Sequence, residues 1–142
     1  MQTINETQDA IIEDFCALDD WMDRYQMLID LGGELPAMPD ADKTEQNLID
    51  GCQSRVWLVC QEDSGRLTFR GESDALIVRG LVALLVQVLS GHTAQEILDA
   101  DLYFIERIGL REQLSPTRSN GLLAMVKQMR MYALAYNELR KQ

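Results

Sequence analysis

The 142-residue chain is short of the residues on which most catalytic and metal sites depend: it has one histidine, three cysteines and three prolines. A structural zinc site usually draws on paired ligands such as C-x₂₋₄-C. Here Cys16 falls in a helical stretch, Cys52 and Cys60 stand eight positions apart, and His92 is alone. That spacing argues against a Cys/His metal centre, and no EF-hand spacing offers a carboxylate one. A cysteine hydrolase needs a base beside its thiol. His92 is the one candidate, and directly after Gly91 it reads instead as an exposed linker residue or a charge at a helix C-terminus. No G-x-S-x-G, P-loop or G-x-G-x-x-G pattern occurs.

Long apolar runs are also missing. The longest, residues 75–89, is interrupted by Arg79, Gly80 and Gln87, which reads as a buried helix and not a membrane span. The start, MQTINETQDAIIEDF, is acidic and lacks the basic, then apolar, order of a secretory signal. A cytoplasmic protein is expected. With three cysteines, an odd number, a disulfide framework is not. Basic residues are outnumbered 13 to 23 by acidic ones, for a net charge of −10. Such a surface repels phosphate backbones, so nucleic-acid binding is not expected, while a partner with a basic docking surface fits.

What the chain does have is the make-up of an ordinary globular protein, 46% hydrophobic and 25% charged, and length for one domain over residues 1–142. Residues 5–31 carry a helical stripe of Ile11, Phe15, Leu18, Met22, Tyr25 and Leu28, as one helix or as two joined near a cap at Asp19. Gly32-Gly33 ends it, and a loop with Pro36 and Pro39 follows. Residues 54–61 and the stretch RLTFRG read as two strands joined by the turn EDSGR, with a short third strand at 47–50. Ser73 is the expected cap of a central helix over 74–90, in which Leu76, Leu81 and Leu85 lie on broad apolar faces. Thr93 and Glu96 form a capping box, LYFIERIG is another short helix, and Pro116 opens a last helix running to about residue 140. The class is α+β: about five helices and a small antiparallel sheet of about three strands.

Cys16 and Cys60 read as packing residues, since free cysteine behaves as a small hydrophobe. Cys52 differs in context. It follows Gly51, whose backbone freedom suits a turn that can reorient. A buried structural thiol and a reactive loop thiol both remain open on composition alone.

The stretches DWMDRYQMLIDLGGELP, NLIDGCQSRVWLV, SDALIVRGLVALLVQVLSG and LSPTRSNGLLAMVKQMR resemble, in order and spacing, the SufE family of sulfur-acceptor proteins. The resemblance spans residues 20–132. It implies a small antiparallel sheet packed with helices, a fold shared with IscU-type scaffolds. It also implies a pyridoxal-phosphate cysteine desulfurase as partner, SufS- or CsdA-like, which carries sulfur as a persulfide. The SufE-like protein takes that sulfur onto a loop cysteine, Cys52 by position in the motif, stimulates the desulfurase, and delivers sulfur to a SufB-like scaffold for iron–sulfur cluster assembly. No cofactor or metal of its own is implied, and a homodimer is compatible.

A thiolate that attacks a persulfide's outer sulfur needs no general base. The resemblance therefore accounts for a cysteine without histidine, with Val56 and Trp57 expected to line an apolar recess for the resting loop and Gly51 expected to let it swing. Arg118 either stabilises a thiolate or persulfide anion or is a surface or ion-paired arginine. Asp74 either supports the helix start or sets how firmly the Cys52 loop is held. Asp50 is expected to raise the Cys52 pKa, and a Cys60 beneath the loop would divert Cys52 into a disulfide. Two alternatives stay open: an IscU-like scaffold for a cluster or zinc, and a docking regulator in which Cys52 is incidental.

Overall fold

The computed structural model describes residues 2–140. Two antiparallel strands, β1 (Val56–Asp63) and β2 (Arg66–Ser73), pair along their full length from Val56–Ser73 to Asp63–Arg66. The turn between them places Ser64 and Gly65 at positive φ, which glycine adopts without a Cβ penalty. The third strand, β3 (His92–Thr93), adds to β2 opposite Leu67 and Arg66. The expected third strand at 47–50 reduces to a single bridge, Leu48 to Trp57. Leu48 stands between the helical turn Glu45–Asn47 and the turn at residues 50–51, which cuts the pairing short, and no alternating pattern announces a two-residue strand such as β3.

The helices are α1 (Ile4–Cys16), α2 (Trp21–Gly33), α3 (Leu76–Leu89), α4 (Ala94–Asp99), α5 (Phe104–Ile108), α6 (Leu110–Gln113) and α7 (Pro116–Arg140). The N-terminal stripe is thus two helices. Asp20, one residue after the expected cap, accepts the Met22 amide at 2.9 Å and starts α2. Met22, counted in the stripe, is 72% exposed because it sits in that first turn. Thr93 and Glu96 form both hydrogen bonds of the expected capping box, at 3.0 and 3.2 Å. Gly109 ends α5 in the left-handed region, as expected, and α6 follows at once as a separate turn.

The central helix is α3. Leu81, Val82, Leu84, Leu85, Val88 and Leu89 are all buried, a face too broad for anything but a core helix. It packs on β2 on one side and α2 on the other. Both contacts depend on missing side chains. A Cβ on Gly80 would collide with the Leu28 carbonyl, and one on Gly71 would collide with Val82 Cγ1. Gln8, fully buried, donates to the Asp101 carbonyl and accepts the Phe104 amide, tying α1 to α5. Tyr132 and Tyr136 donate to the Leu58 and Cys60 carbonyls at 3.4 Å, tying α7 to β1. Among the described residues no helix is long and apolar enough to cross a membrane.

Candidate functional site

The chain enters β1 through a short loop, 50–55, whose base is closed by buried Ile49 and Val56. The Ile49 amide donates to the Val56 carbonyl at 2.8 Å. Gly51 sits in this loop at φ 88°, a conformation other residues adopt only with strain. Cys52 follows and lays its thiol against the start of α7, where Sγ donates to the Gly121 carbonyl across 3.6 Å. Gly121 has no side chain, so the sulfur meets bare helix backbone.

The far end of the loop is tied to the start of the central helix. Asp74 Oδ1 accepts the Arg55 amide at 3.1 Å, and the Asp74 amide donates to the Arg55 carbonyl at 3.3 Å. Ser73 meanwhile accepts the Ala75 amide at 3.2 Å. Neither side chain is left to cap α3, which begins at Leu76 with Ala75 as an uncapped N-cap residue, two residues later than the sequence suggests. The late start exposes Leu76, which belongs to the expected apolar face.

The thiol borders a cavity of about 400 Å³ lined by Cys52, Ser54, Val78, Ser115, Thr117, Arg118 and Met125. Val56 and Trp57, the expected recess, do not line it. Val56 is wholly buried in the core, and Trp57 points from the opposite face of β1, with the Lys43 ammonium 5.8 Å from its ring centroid. Strand alternation makes the two diverge. Val78 of α3 and Met125 of α7 supply the apolar wall instead.

Burial pushes the Cys52 thiol above its ordinary pKa, and burial, not the neighbouring Asp50, is the cause. The resting thiol is therefore kept protonated, as its hydrogen bond to a carbonyl also favours. Arg118 lies in the first turn of α7, its amide donating to Ser115 Oγ at 3.3 Å, and its side chain is exposed at the cavity. Among the described residues no carboxylate pairs with it, so the ion-pair reading of Arg118 fails.

The other candidates lie elsewhere. Cys16, read as a packing residue, ends α1 and is exposed. Cys60 lies four residues up β1 from Val56, about 13 Å along a strand, beside Tyr132 and Tyr136 and not beneath the loop. Burial, reinforced by Glu62, raises its pKa to about 12. All three cysteines are free. His92, expected to be exposed, is 4% exposed in β3 opposite Leu67, six residues along β2 from the loop end of the sheet. That is about 20 Å away, which rules out a Cys52–His92 dyad. Among the described residues no group of three or more His, Cys, Asp and Glu converges on a metal-sized point. The cavity's apolar wall and the bare Gly121 contact could not be foreseen, because helical spacing alone does not say which residues of α7 face a loop.

The family model for the Fe–S metabolism associated domain, SufE, matches residues 9–133. An uncharacterized SufE-like protein of Rhizobium meliloti (strain 1021) is 47% identical over 130 residues, covering 88% of this chain and 93% of the relative. An uncharacterized SufE-like protein of Rhizobium etli is 47% identical over 127 residues, covering 86% of each. The solution structure of a hypothetical protein from Thermus thermophilus shares the fold, with a TM-score of 0.75 at 21% identity over 91% of this chain and 94% of that one. The helices around a three-stranded antiparallel sheet, and sequence similarity along most of the length, lead to one conclusion: the chain belongs to the SufE family of domains associated with Fe–S metabolism.

Proposed function

We propose that this protein is a sulfur acceptor in which Cys52 takes the outer sulfur of a persulfide held by a pyridoxal-phosphate cysteine desulfurase and passes it on for iron–sulfur cluster assembly. The Cys52 thiolate attacks the outer sulfur. A new S–S bond forms at Cys52, the old one breaks, and the partner's cysteine leaves as a thiolate. No water is activated and no net oxidation occurs, so neither base nor metal is required of this chain. The harder chemistry, C–S cleavage, belongs to the partner's cofactor.

The observation that carries this reading is the setting of Cys52 on a short loop, next to Gly51 at positive φ, beside a cavity that Arg118 lines. At rest the half-buried thiol is protonated and a poor nucleophile. Once the loop leaves α7, that burial is relieved and the thiolate becomes accessible near neutral pH. After loading, the same recess shields the persulfide from oxidants, and Arg118 supplies positive charge near the sulfur. Gly51 provides the swing and Asp74 the tether. Cys60, with a pKa of about 12, is a poor competitor for the sulfur.

The scaffold reading draws no support from the geometry, since a nascent cluster needs several converging ligands. The docking-regulator reading differs in one measurable respect. Desulfurase turnover, followed as alanine released from cysteine, should rise on addition of wild-type protein and stay at its basal level with Cys52→Ser. Full stimulation by Cys52→Ser would favour the docking regulator.

A further inference from the structure

The last helix is the most basic element of an acidic chain. Residues 116–140 contain Arg118, Lys127, Arg130 and Arg140 against a single acid, Glu138, although the whole chain carries 23 acidic and 13 basic residues. The same helix holds Leu123, Met131, Leu134 and Leu139, four of the six large hydrophobic side chains that are exposed among the described residues. Single exposed apolar residues need no explanation, whereas a contiguous set does.

Three of those four form one groove. Leu123, Val126, Met131 and Leu134 of α7 and Leu98 of α4 line a trough of about 390 Å³ that Lys127 and Arg130 flank. From Leu123 to Leu134 it runs about 16 Å along the helix axis, the length of three turns of a bound helix. Arg130 donates to the Ala100 carbonyl at 2.8 Å, which fixes its stem along the trough, while its Nε is buried without a hydrogen-bond partner. Lys127 is exposed and, among the described residues, meets no carboxylate.

The groove is separate from the sulfur site. At 3.6 residues per turn its residues centre about half a turn around α7 from Gly121 and Met125, which face the Cys52 cavity. A partner seated in the groove therefore leaves the Cys52 loop uncovered. The charges also select the occupant. Two copies packed groove to groove would place Lys127 and Arg130 of one against the same cations of the other, and such like-charge contact is unfavourable. A segment with acidic flanks and an apolar face is complementary.

We propose that this groove docks an acidic amphipathic helix of a partner protein, by helix-in-groove recognition, at the same time as Cys52 is engaged elsewhere. Leucine-type anchors of that helix fill the trough between Leu123 and Leu134, and its glutamates or aspartates pair with Lys127 and Arg130.

The test uses fluorescein-labelled helical peptides of about 18 residues, roughly 27 Å long, with leucines at i, i+4, i+7 and i+11. One has glutamate flanks and the other lysine flanks. Fluorescence anisotropy should show saturable binding of the acidic peptide to the full-length protein and binding about tenfold weaker, or worse, for the basic one. Met131→Ser and Lys127→Glu alter exposed positions, so they should leave the fold intact by circular dichroism. Each should weaken the acidic peptide about tenfold, and Cys52→Ser should bind as the wild type does. Absent binding, or binding indifferent to Met131 and Lys127, would overturn the proposal. So would sedimentation showing a dimer that Leu134→Glu dissociates, which would make a second copy the occupant. Co-sedimentation with phosphatidylglycerol vesicles that Lys127→Glu abolishes would also overturn it, in favour of a lipid surface.

Discussion

The Asp74 carboxylate holds the Arg55 amide at 3.1 Å while the Arg55 carbonyl accepts the Asp74 amide at 3.3 Å. This paired contact joins the end of the Cys52 loop to the start of α3. It costs α3 its side-chain cap and fixes one end of a loop whose other end carries Gly51 at positive φ. A local helix rule has given way to a tertiary one.

Removing that tether should loosen the loop without unfolding the protein. Asp74→Ala deletes one exposed hydrogen bond, so a global loss of about 0.5–1 kcal/mol is expected. Cys52, freed from its recess, should react faster with iodoacetamide, and the pH midpoint of that reaction should fall toward an ordinary thiol value. An unchanged rate and midpoint would mean that the loop is held by other contacts.

Much of the fold was legible because it rests on pattern. The breadth of the α3 apolar face, the Thr93–Glu96 box, Pro116 at a helix start and the strand pair around EDSGR are all local signals, and each appears where local rules put it. What escaped is long-range. Cys16 follows Phe15 in an apolar stripe yet falls on the exposed side, and His92 follows a glycine yet is buried by pairing with Leu67. Cys52 stood out as a candidate through its motif and its glycine. Its partners Gly121, Val78 and Met125 come from elements far apart in sequence, and no local rule brings them together.

The α2–α3 crossing supplies a test of packing that leaves the loop alone. Gly80→Ala would drive a methyl group into the Leu28 backbone, where nothing flexible can yield. A loss of about 3 kcal/mol is expected, the upper end for overpacked cores, read as a lower midpoint in urea. A variant with wild-type stability would show that the two helices can move apart freely.

Buried His92 makes stability depend on pH in a defined direction. Burial holds its pKa below the ordinary 6.5, outweighing Glu96, whose carboxylate lies 3.9 Å from Nδ1. The unfolded chain therefore binds the proton first as pH falls. Stability should be full above about pH 6.5 and decline below it, before Glu96, itself held below 4.5, begins to titrate. His92→Leu should flatten the urea midpoint between pH 7 and 5. A wild-type midpoint that stays level over that range would contradict the burial of this imidazole.

The most direct measurement is an intact-mass spectrum taken after incubation with a cysteine desulfurase, pyridoxal phosphate and cysteine, with binding of the two proteins verified beside it. Wild type, Cys16→Ser and Cys60→Ser should each gain one sulfur atom, released by dithiothreitol, and Cys52→Ser should gain none. Sulfur loading by Cys52→Ser, or none on a wild-type protein that binds the desulfurase, would contradict Cys52 as the acceptor.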